Sequence, residues 1–390
     1  MDKREALLET INRVERRHYR FDPEIERFYE AVQRNKYLCI FGAGEIFSET
    51  AFFLREAGVA VDCVCDNDPA KHGKVFYGHK CISYEQLKEM KDEVTVFISS
   101  SYYVEIEKQL QQDGFADCFA FYPRFLPKYD VKALFGEEKE SIIAAFDLFA
   151  DDISKEIYLL HVLHATDSLY YPSFNKLPFS ANQYFDEEIV PLSEHEVFAD
   201  IGAFDGADVR RFLSLTKESF ERIYCFELSK INFVMLRDNI AKLPATVREA
   251  VECINKGVSD ANGVFSYSDD FGMSSNLSAA EAGGDSMAEV VSLDSFFANE
   301  SVSLITMDIE GAELKALAGA KKIITEQTPK LAVCVYHGIE DLWRVPLFIN
   351  KHNNSYRYYL RQHSDKTPHE TVCYTIPYHT IPYQDDFGKR

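Results

Sequence analysis

The sequence predicts an α/β protein made of two doubly wound parallel sheets in tandem, the second closed by an antiparallel hairpin. Three observations carry this expectation. Near the start, the apolar run Tyr37 to Phe41 stops at Gly42-Ala43-Gly44 and gives way to a helical pattern. Further on, V-F-A-D-I-G-A-F-D-G at Val197 to Gly206 repeats that strand-to-glycine turn. About a hundred residues later, T-M-D-I-E-G-A-E-L at Thr306 to Leu314 ends another apolar strand at an aspartate beside small residues. Short apolar strands alternating with helical patterns mark a parallel sheet with helical crossovers, and ligands bind where such strands end. Asp200 and Asp308 therefore nominate one site.

Residues 1–35 read as a helical arm. Leu7, Leu8, Ile11, Val14, Phe28, Tyr29 and Val32 recur at helical spacing, and Asp22-Pro23 suits a cap followed by a first helical position. The arm either packs on its own domain or joins two chains in a homodimer, since periodicity does not name the partner. Residues 36–125 then form a Rossmann-like domain, with strands at 37–41, 59–65, 94–98 and 118–121 and helices at 45–57 and 102–111. Glycines at such a turn let the backbone approach phosphates, and an acid about 20 residues on can hold a ribose hydroxyl. Gly42, Gly44 and Asp66 are thus a possible second nucleotide site. Phe47 stands where the third glycine of G-x-G-x-x-G belongs, so the fingerprint is half complete.

A nicotinamide-dependent sugar oxidoreductase or epimerase is one alternative function for this domain, and it needs a Tyr-x-x-x-Lys pair for proton transfer. Tyr84 and Lys88 have the spacing, but on a segment opened by Ser83 that reads as an ordinary surface helix. The segment G-K-V-F-Y-G-H-K-C-I-S resembles the glycine-bracketed turn of the sugar-nucleotide-binding domain at the front of some bacterial sugar acyltransferases. That resemblance implies a nucleotide-sugar-binding role, catalytic or silent.

Residues 126–196 read as a helical and aromatic connector, with helical patterns at 142–149 and 157–163 around a turn at Asp151-Asp152. His161 and His164 share a helix face, but no third ligand has a convincing spacing, so no metal site is expected. Tyr170, Tyr171, Phe174, Phe179, Tyr184 and Phe185 follow, as a buried connector or as a wall for a ring-shaped acceptor.

From 197 to 390 the alternation resumes, with strands at 197–201, 222–226, 264–267, 290–297, 304–307 and 330–336 and helices at 207–215, 230–241 and 313–324. A polar stretch at 268–288 reads as a mobile lid or a disordered insertion. Strands at 356–361 and 370–376 close the sheet as a hairpin. Gly202 and Ala203 leave room for a ligand at the first turn, and Glu227 ends the second strand, where a carboxylate can accept from both hydroxyls of a ribose.

This order is that of the class I S-adenosylmethionine methyltransferase fold. The segments V-F-A-D-I-G-A-F-D-G, I-Y-C-F-E-L, N-K-G-V-S-D-A-N-G, V-V-S-L-D-S-F-F, I-T-M-D-I-E-G-A-E-L-K-A-L-A-G-A, P-K-L-A-V-C-V-Y-H and D-L-W-R-V-P resemble, in order, the FkbM family of methyltransferases. The resemblance implies methyl transfer from S-adenosylmethionine to a hydroxyl, often of a sugar. It implies that Asp200, Gly202 and Ala203, with Gly206 in the same turn, line the donor's methionine part. Glu227 would bind the ribose, residues near Val258 would border the adenine, and Asp308 would form the opposite lip. Two positions depart from the family: Thr306 replaces a common lysine, which removes a charge partner for Asp308, and Leu228 replaces a common proline.

A hydroxyl nucleophile needs a general base within hydrogen-bond reach. Asp308, Glu310 and His337, at the ends of neighbouring strands, are the candidates; Glu310 and Glu313 have the alternative role of capping the following helix.

Composition narrows the partners. With 390 residues and 46% hydrophobic content the chain can bury more than one core, so two or three domains are expected. A formal net charge of -21 repels a phosphate backbone, which disfavours nucleic acid and favours a small-molecule partner. No run approaches the roughly 20 apolar residues that cross a bilayer, and the start lacks a signal-peptide core. Nine cysteines without a C-x-x-C pair suit reduced thiols and a cytoplasmic location.

Overall fold

The computed structural model describes residues 2–16, 23–44, 47–76, 78–100, 102–120, 131–166, 177–267, 286–364 and 369–380. Asp22, Tyr170, Tyr171, Phe174 and positions 268–285 of the expected lid lie outside them. Two compact units emerge, Met1–Lys139 with Leu159–Lys176, and Glu140–Tyr158 with Leu177–Arg390. The stretch read as a connector is shared between them, the division falling within the helix Asp152–Thr166. His161 and His164 are both buried on that helix.

The first unit is built on six strands: β1 (Tyr37–Phe41), β2 (Cys63–Cys65), β3 (Val75–Phe76), β4 (His79–Ile82), β5 (Val94–Ile98) and β6 (Cys118–Phe119). Their order is β3-β4-β2-β1-β5-β6, parallel except for the β3–β4 pair. Strand alternation divides the core. Leu38 and Ile40 pack with Phe28, Leu54 and Phe97 on one face, while Cys39 and Phe41 pack with Val96, Ile98 and Leu110 on the other. Each such apolar side chain contributes about 1.5–3 kcal/mol on full burial.

The second strand is shorter than the expected 59–65. Gly58 takes a left-handed φ of 72° and the Val59 N–H returns to Leu54 O, so the residues ahead of Cys63 are spent in closing the preceding helix. The helix Tyr84–Glu89 is a capped surface helix, with Ser83 and Gln86 forming a reciprocal capping box. Burial and the 2.7 Å hydrogen bond to Asp113 both push the Tyr84 phenol up, opposite to what a proton-abstracting tyrosine needs.

The second unit holds a seven-stranded sheet of β7 (Val197–Ile201), β8 (Arg222–Phe226), β9 (Val251–Ile254), β13 (Leu304–Met307), β14 (Lys330–Cys334), β15 (Tyr356–Gln362) and β16 (Thr371–Pro377), in the order β15-β16-β14-β13-β7-β8-β9. Only β16 runs against its neighbours, β14 and β15, which makes the expected terminal hairpin. Phe198, Ile223, Leu304, Ala332 and Tyr374 build the core of one face with Phe212 and Leu236. On the other, Tyr224 and Phe226 meet Phe296 and Phe297 edge to face. A small sheet of β10 (Gly257–Val258), β11 (Gly263–Tyr267) and β12 (Ser286–Val291) stands beside it in sequence.

Three elements differ from the sequence reading. The single strand expected at 290–297 is β12 followed by the helix Leu293–Phe296, because the Ser292 hydroxyl accepts from Ser295 N and starts a helix there. The helix expected at 313–324 ends at Ala318, with Gly319 as its cap, and a π-helical turn follows at Ile323–Gln327. The helix Asp341–His352 was not anticipated; Pro346 within it hides the helical pattern, yet Leu342, Trp343, Val345 and Ile349 are buried along it.

Candidate functional site

Strands β7 and β13 are parallel neighbours, with Asp200 opposite Thr306. The chain leaves β7 toward β8 on its other side, so the crevice between β7 and β13 is the point where the strand order reverses. Gly202 closes this edge. Its φ is +91°, and a Cβ there would lie 2.0 Å from Asp308 O, so no larger residue fits between the two strand ends. Gly206, at φ +78°, starts the helix Ala207–Thr216.

Carboxylates crowd the crevice. Asp200 is buried; its Oδ1 accepts from the Thr306 hydroxyl at 2.8 Å, and its Oδ2 is buried with no hydrogen-bond partner. Burial, and the charges of Asp208, Glu227 and Asp308, hold its carboxyl well above the usual range, against the Thr306 hydrogen bond. Burial also pushes Asp208 up to about 6, and burial with the charge of Asp308 pushes Glu370 up to about 7. Thr306, expected as a lost partner of Asp308, meets Asp200 instead. Thr306, two positions before Asp308, lies opposite Asp200 in register, so its side chain serves Asp200.

Glu227 is buried just beyond β8. Its two oxygens accept from Phe204 N at 2.9 Å and Ser229 N at 2.8 Å, which ties the β8 end to the β7 turn. The N–H groups of Gly202 and Ala203 both donate to Phe226 O, so the turn is held by the neighbouring strand. Val258 is buried opposite Val291, three residues after Asn255, whose side chain donates to Glu227 O and Leu228 O.

On the opposite lip, Asp308 follows β13 directly and its N–H donates to Ile201 O. Two phenols hold its carboxylate: Tyr184 donates to Oδ2 at 3.0 Å, and Tyr336 lies at 3.3 and 3.2 Å from Oδ1 and Oδ2. Tyr184 is itself fixed. Its N–H donates to the Tyr374 hydroxyl at 2.8 Å, which donates to His363 Nε2 at 2.8 Å, while His363 Nδ1 donates to Ser180 O at 2.7 Å. That tautomer needs a neutral ring, and burial pushes the His363 pKa down to about 4.

His337 lies three residues past the β14–β16 pairing and is almost fully enclosed. Its Nδ1 is 3.0 Å from Glu313, and its Nε2 is 3.3 Å from Asp308 and 3.4 Å from Glu310. Burial works to lower its pKa, but the charges of Glu313 and Glu310 outweigh it and push the ring up to about 10. The expectation that His337 serves as a general base meets this obstacle: a protonated imidazole has no lone pair to offer. Glu313 divides its work, since the same oxygen also accepts from Ile309 N as a capping residue would.

Left-handed backbone gathers around these groups. Of the seven non-glycine residues at positive φ among the described residues, Tyr184, Phe204, Glu310 and Glu370 border the crevice. Each such residue costs about 1–3 kcal/mol, a strain that clusters where side chains must be aimed.

In the first unit the glycine turn is equally tight. Gly42 has φ +113°, and a Cβ there would lie 2.2 Å from Ser99 O; Gly44 has open space. Asp66, however, is fully engaged. Oδ2 accepts from Ala43 N and Lys71 Nζ, both at 2.8 Å, and Oδ1 accepts from Asp68 N. Burial would raise its pKa, but the Lys71 and backbone hydrogen bonds win and hold it below the usual range.

A seven-stranded sheet of this order, with acids at the ends of its first, second and fourth strands, defines a class I methyltransferase fold. Residues 200–368 match the methyltransferase FkbM domain, and the chain carries that domain. Residues 34–117 match a second domain family, C2185-like, N-terminal. The chain is similar to the 2-O-methyltransferase NoeI of Sinorhizobium fredii (strain NBRC 101917 / NGR234), 27% identical over 162 residues that cover 36% of this chain and 64% of that protein. It thus spans a little under two thirds of the curated relative's length. In fold it is similar to the crystal structure of the methyltransferase FkbM from Methylobacillus flagellatus KT, at a TM-score of 0.72 and 20% identity, over 96% of this chain and 99% of that one.

Tyr184, Tyr336, Glu370 and Asp208 were not singled out as site residues from sequence. Tyr184 stood in the aromatic run whose alternative reading was a wall for an acceptor, and Tyr336 ended the apolar run before His337. Glu370 and Asp208 carried no signal, because an acid in so acidic a chain is not distinctive.

Proposed function

We propose that the FkbM domain transfers a methyl group from S-adenosylmethionine to a hydroxyl of a sugar or glycan-like small molecule, in the cytoplasm, where nine unpaired cysteines stay reduced. The observation that supports this most is the unpartnered buried oxygen of Asp200 among Asp208, Glu227 and Asp308. A buried aspartate held against ionisation, with no cation among its near charges, is suited to a cationic ligand, and the donor carries a sulfonium and an ammonium.

Asp200 would take the donor's methionine end beside Gly202, Ala203 and Gly206. Glu227, oriented by two backbone N–H groups, would bind the ribose, and the segment at Val258 would border the adenine. The donor supplies an activated methyl group, so the protein's task is to align a nucleophile and exclude water. Asp308, aimed by Tyr184 and Tyr336, would accept the hydroxyl proton; Glu310, partly exposed at the rim, would bind the acceptor; and His337 would hold both acids in place. The 2-O-methyltransferase among the similar proteins favours an oxygen as the methyl acceptor.

Calorimetry with S-adenosylhomocysteine, NAD and UDP-sugars tests the reading, together with transfer of a labelled methyl group to glycan precursors. Tight binding of S-adenosylhomocysteine with label transfer is expected. Binding of NAD alone would replace this reading with the oxidoreductase one.

A further inference from the structure

The surroundings of His337 are unusual for an ion pair. Its side chain is 2% exposed, and three carboxylate oxygens approach its ring nitrogens at 3.0–3.4 Å. Yet both ring nitrogens and Glu313 Oε2 are buried without a hydrogen-bond partner, so these approaches lack the alignment of N–H···O bonds. Donor atoms that share a metal ion aim at the ion and not at one another. For bonds of about 2.0–2.1 Å, tetrahedral ligand atoms stand roughly 3.3 Å apart. The separations of His337 Nε2 from Asp308 Oδ1 and Glu310 Oε2 are 3.3 and 3.4 Å.

We propose that His337, Asp308 and Glu313 hold one divalent transition-metal cation, which takes the place of the imidazolium proton, with Glu310 at its rim. A set of one imidazole and two carboxylates suits zinc or manganese and leaves a position open. The remaining shell is built for it. Glu313 Oε1 accepts from Ile309 N, which leaves the buried Oε2 for the ion, and Tyr184 and Tyr336 orient Asp308. Ligand atoms of Asp308, Glu313 and His337 all lie within 4.8 Å of one another. From sequence, Asp308, Glu310 and His337 group as candidate bases and not as metal ligands. His161 and His164, the histidines weighed from sequence, are not part of the cluster. Recruitment of an acceptor hydroxyl to the open position rests on the methyl-transfer reading; binding of the ion does not.

The test uses the full chain stripped with a chelator and titrated with manganese by electron paramagnetic resonance and with zinc by calorimetry, with S-adenosylhomocysteine binding measured in parallel. Saturable binding of one ion with nitrogen modulation in the pulsed spectrum is expected. Glu310→Gln, at the half-exposed rim where folding is not at stake, should weaken the ion about 10-fold or more, and His337→Gln should remove the nitrogen signature. No saturable binding to the wild-type chain, or binding that neither substitution alters, would overturn the site. Ion binding without S-adenosylhomocysteine binding would sink the methyl-transfer reading and leave the metal site standing.

Discussion

The two glycine turns of this chain are built alike and charged differently. Gly42 and Gly202 both take a left-handed φ because the carbonyl of a neighbouring strand end, Ser99 O or Asp308 O, occupies the space of a Cβ. In both, an acid after the second strand, Asp66 or Glu227, accepts a backbone N–H from the turn. Beyond that the units part. Lys71 pairs with Asp66, whereas the second turn holds Asp200, which is kept from ionising by burial and by the charges of Asp208, Glu227 and Asp308 and has one buried oxygen without a partner. Shared geometry therefore makes a frame, and a cation at hand for Asp66 but not for Asp200 separates a self-satisfied turn from one that awaits a charged ligand.

Substitutions can break this contrast, beginning where the effect is largest. Asp308→Asn should lower methyl transfer about 100- to 10,000-fold with donor binding retained, as befits loss of a general base; wild-type turnover would exclude that role. Next in size, Glu227→Gln should weaken S-adenosylhomocysteine about 10-fold, the worth of a charged hydrogen bond, while Asp66→Asn leaves it unchanged. Calorimetry on the two variants checks this, and equal effects would erase the distinction between the turns.

Smaller and of opposite sign are the effects on stability. The folded pKa of Asp200 is raised, so above its unfolded value of about 3.9 the ionising solvent favours the unfolded chain. Asp200→Asn should then raise the ligand-free unfolding free energy at neutral pH by about 1 kcal/mol while weakening donor binding. Asp66 is the converse. Its folded pKa is depressed, so its contribution is present above about pH 3.9 and fades as pH falls toward the folded value. Denaturant titrations should show a shallower acid limb in Asp66→Asn than in wild type. Smallest of all, Lys71→Met should cost at most about 1 kcal/mol of stability and leave methyl transfer intact.

Much of the frame was legible because it is local. The runs ending at Phe41, Ile201, Phe226 and Met307 are apolar strands cut off by glycine or an acid, and each appears as a strand with that end. Where a polar side chain competes for backbone groups, the reading failed: the Ser292 hydroxyl starts a helix inside what looked like one apolar strand. The site was half legible for a related reason. Asp200, Glu227 and Asp308 announce themselves at strand ends, but the partners that tune them come from afar. Tyr184 reaches Asp308 across 124 positions and Tyr336 across 28. Thr306 faces Asp200 only because β7 and β13 pair in that register, which no spacing along the chain reveals.

The chain ahead of the sheet thus supplies part of the chemistry within it. Because the hydroxyl of Tyr184 reaches Asp308 from thirteen positions before β7 begins, a protein trimmed to start at Val197 would keep every strand and every glycine of the FkbM sheet. It would nevertheless deliver its acid with one phenol instead of two and expose the face that Phe185 covers at Phe198 and Phe212. The working length of the domain is therefore set by a tyrosine lying upstream of the matched span.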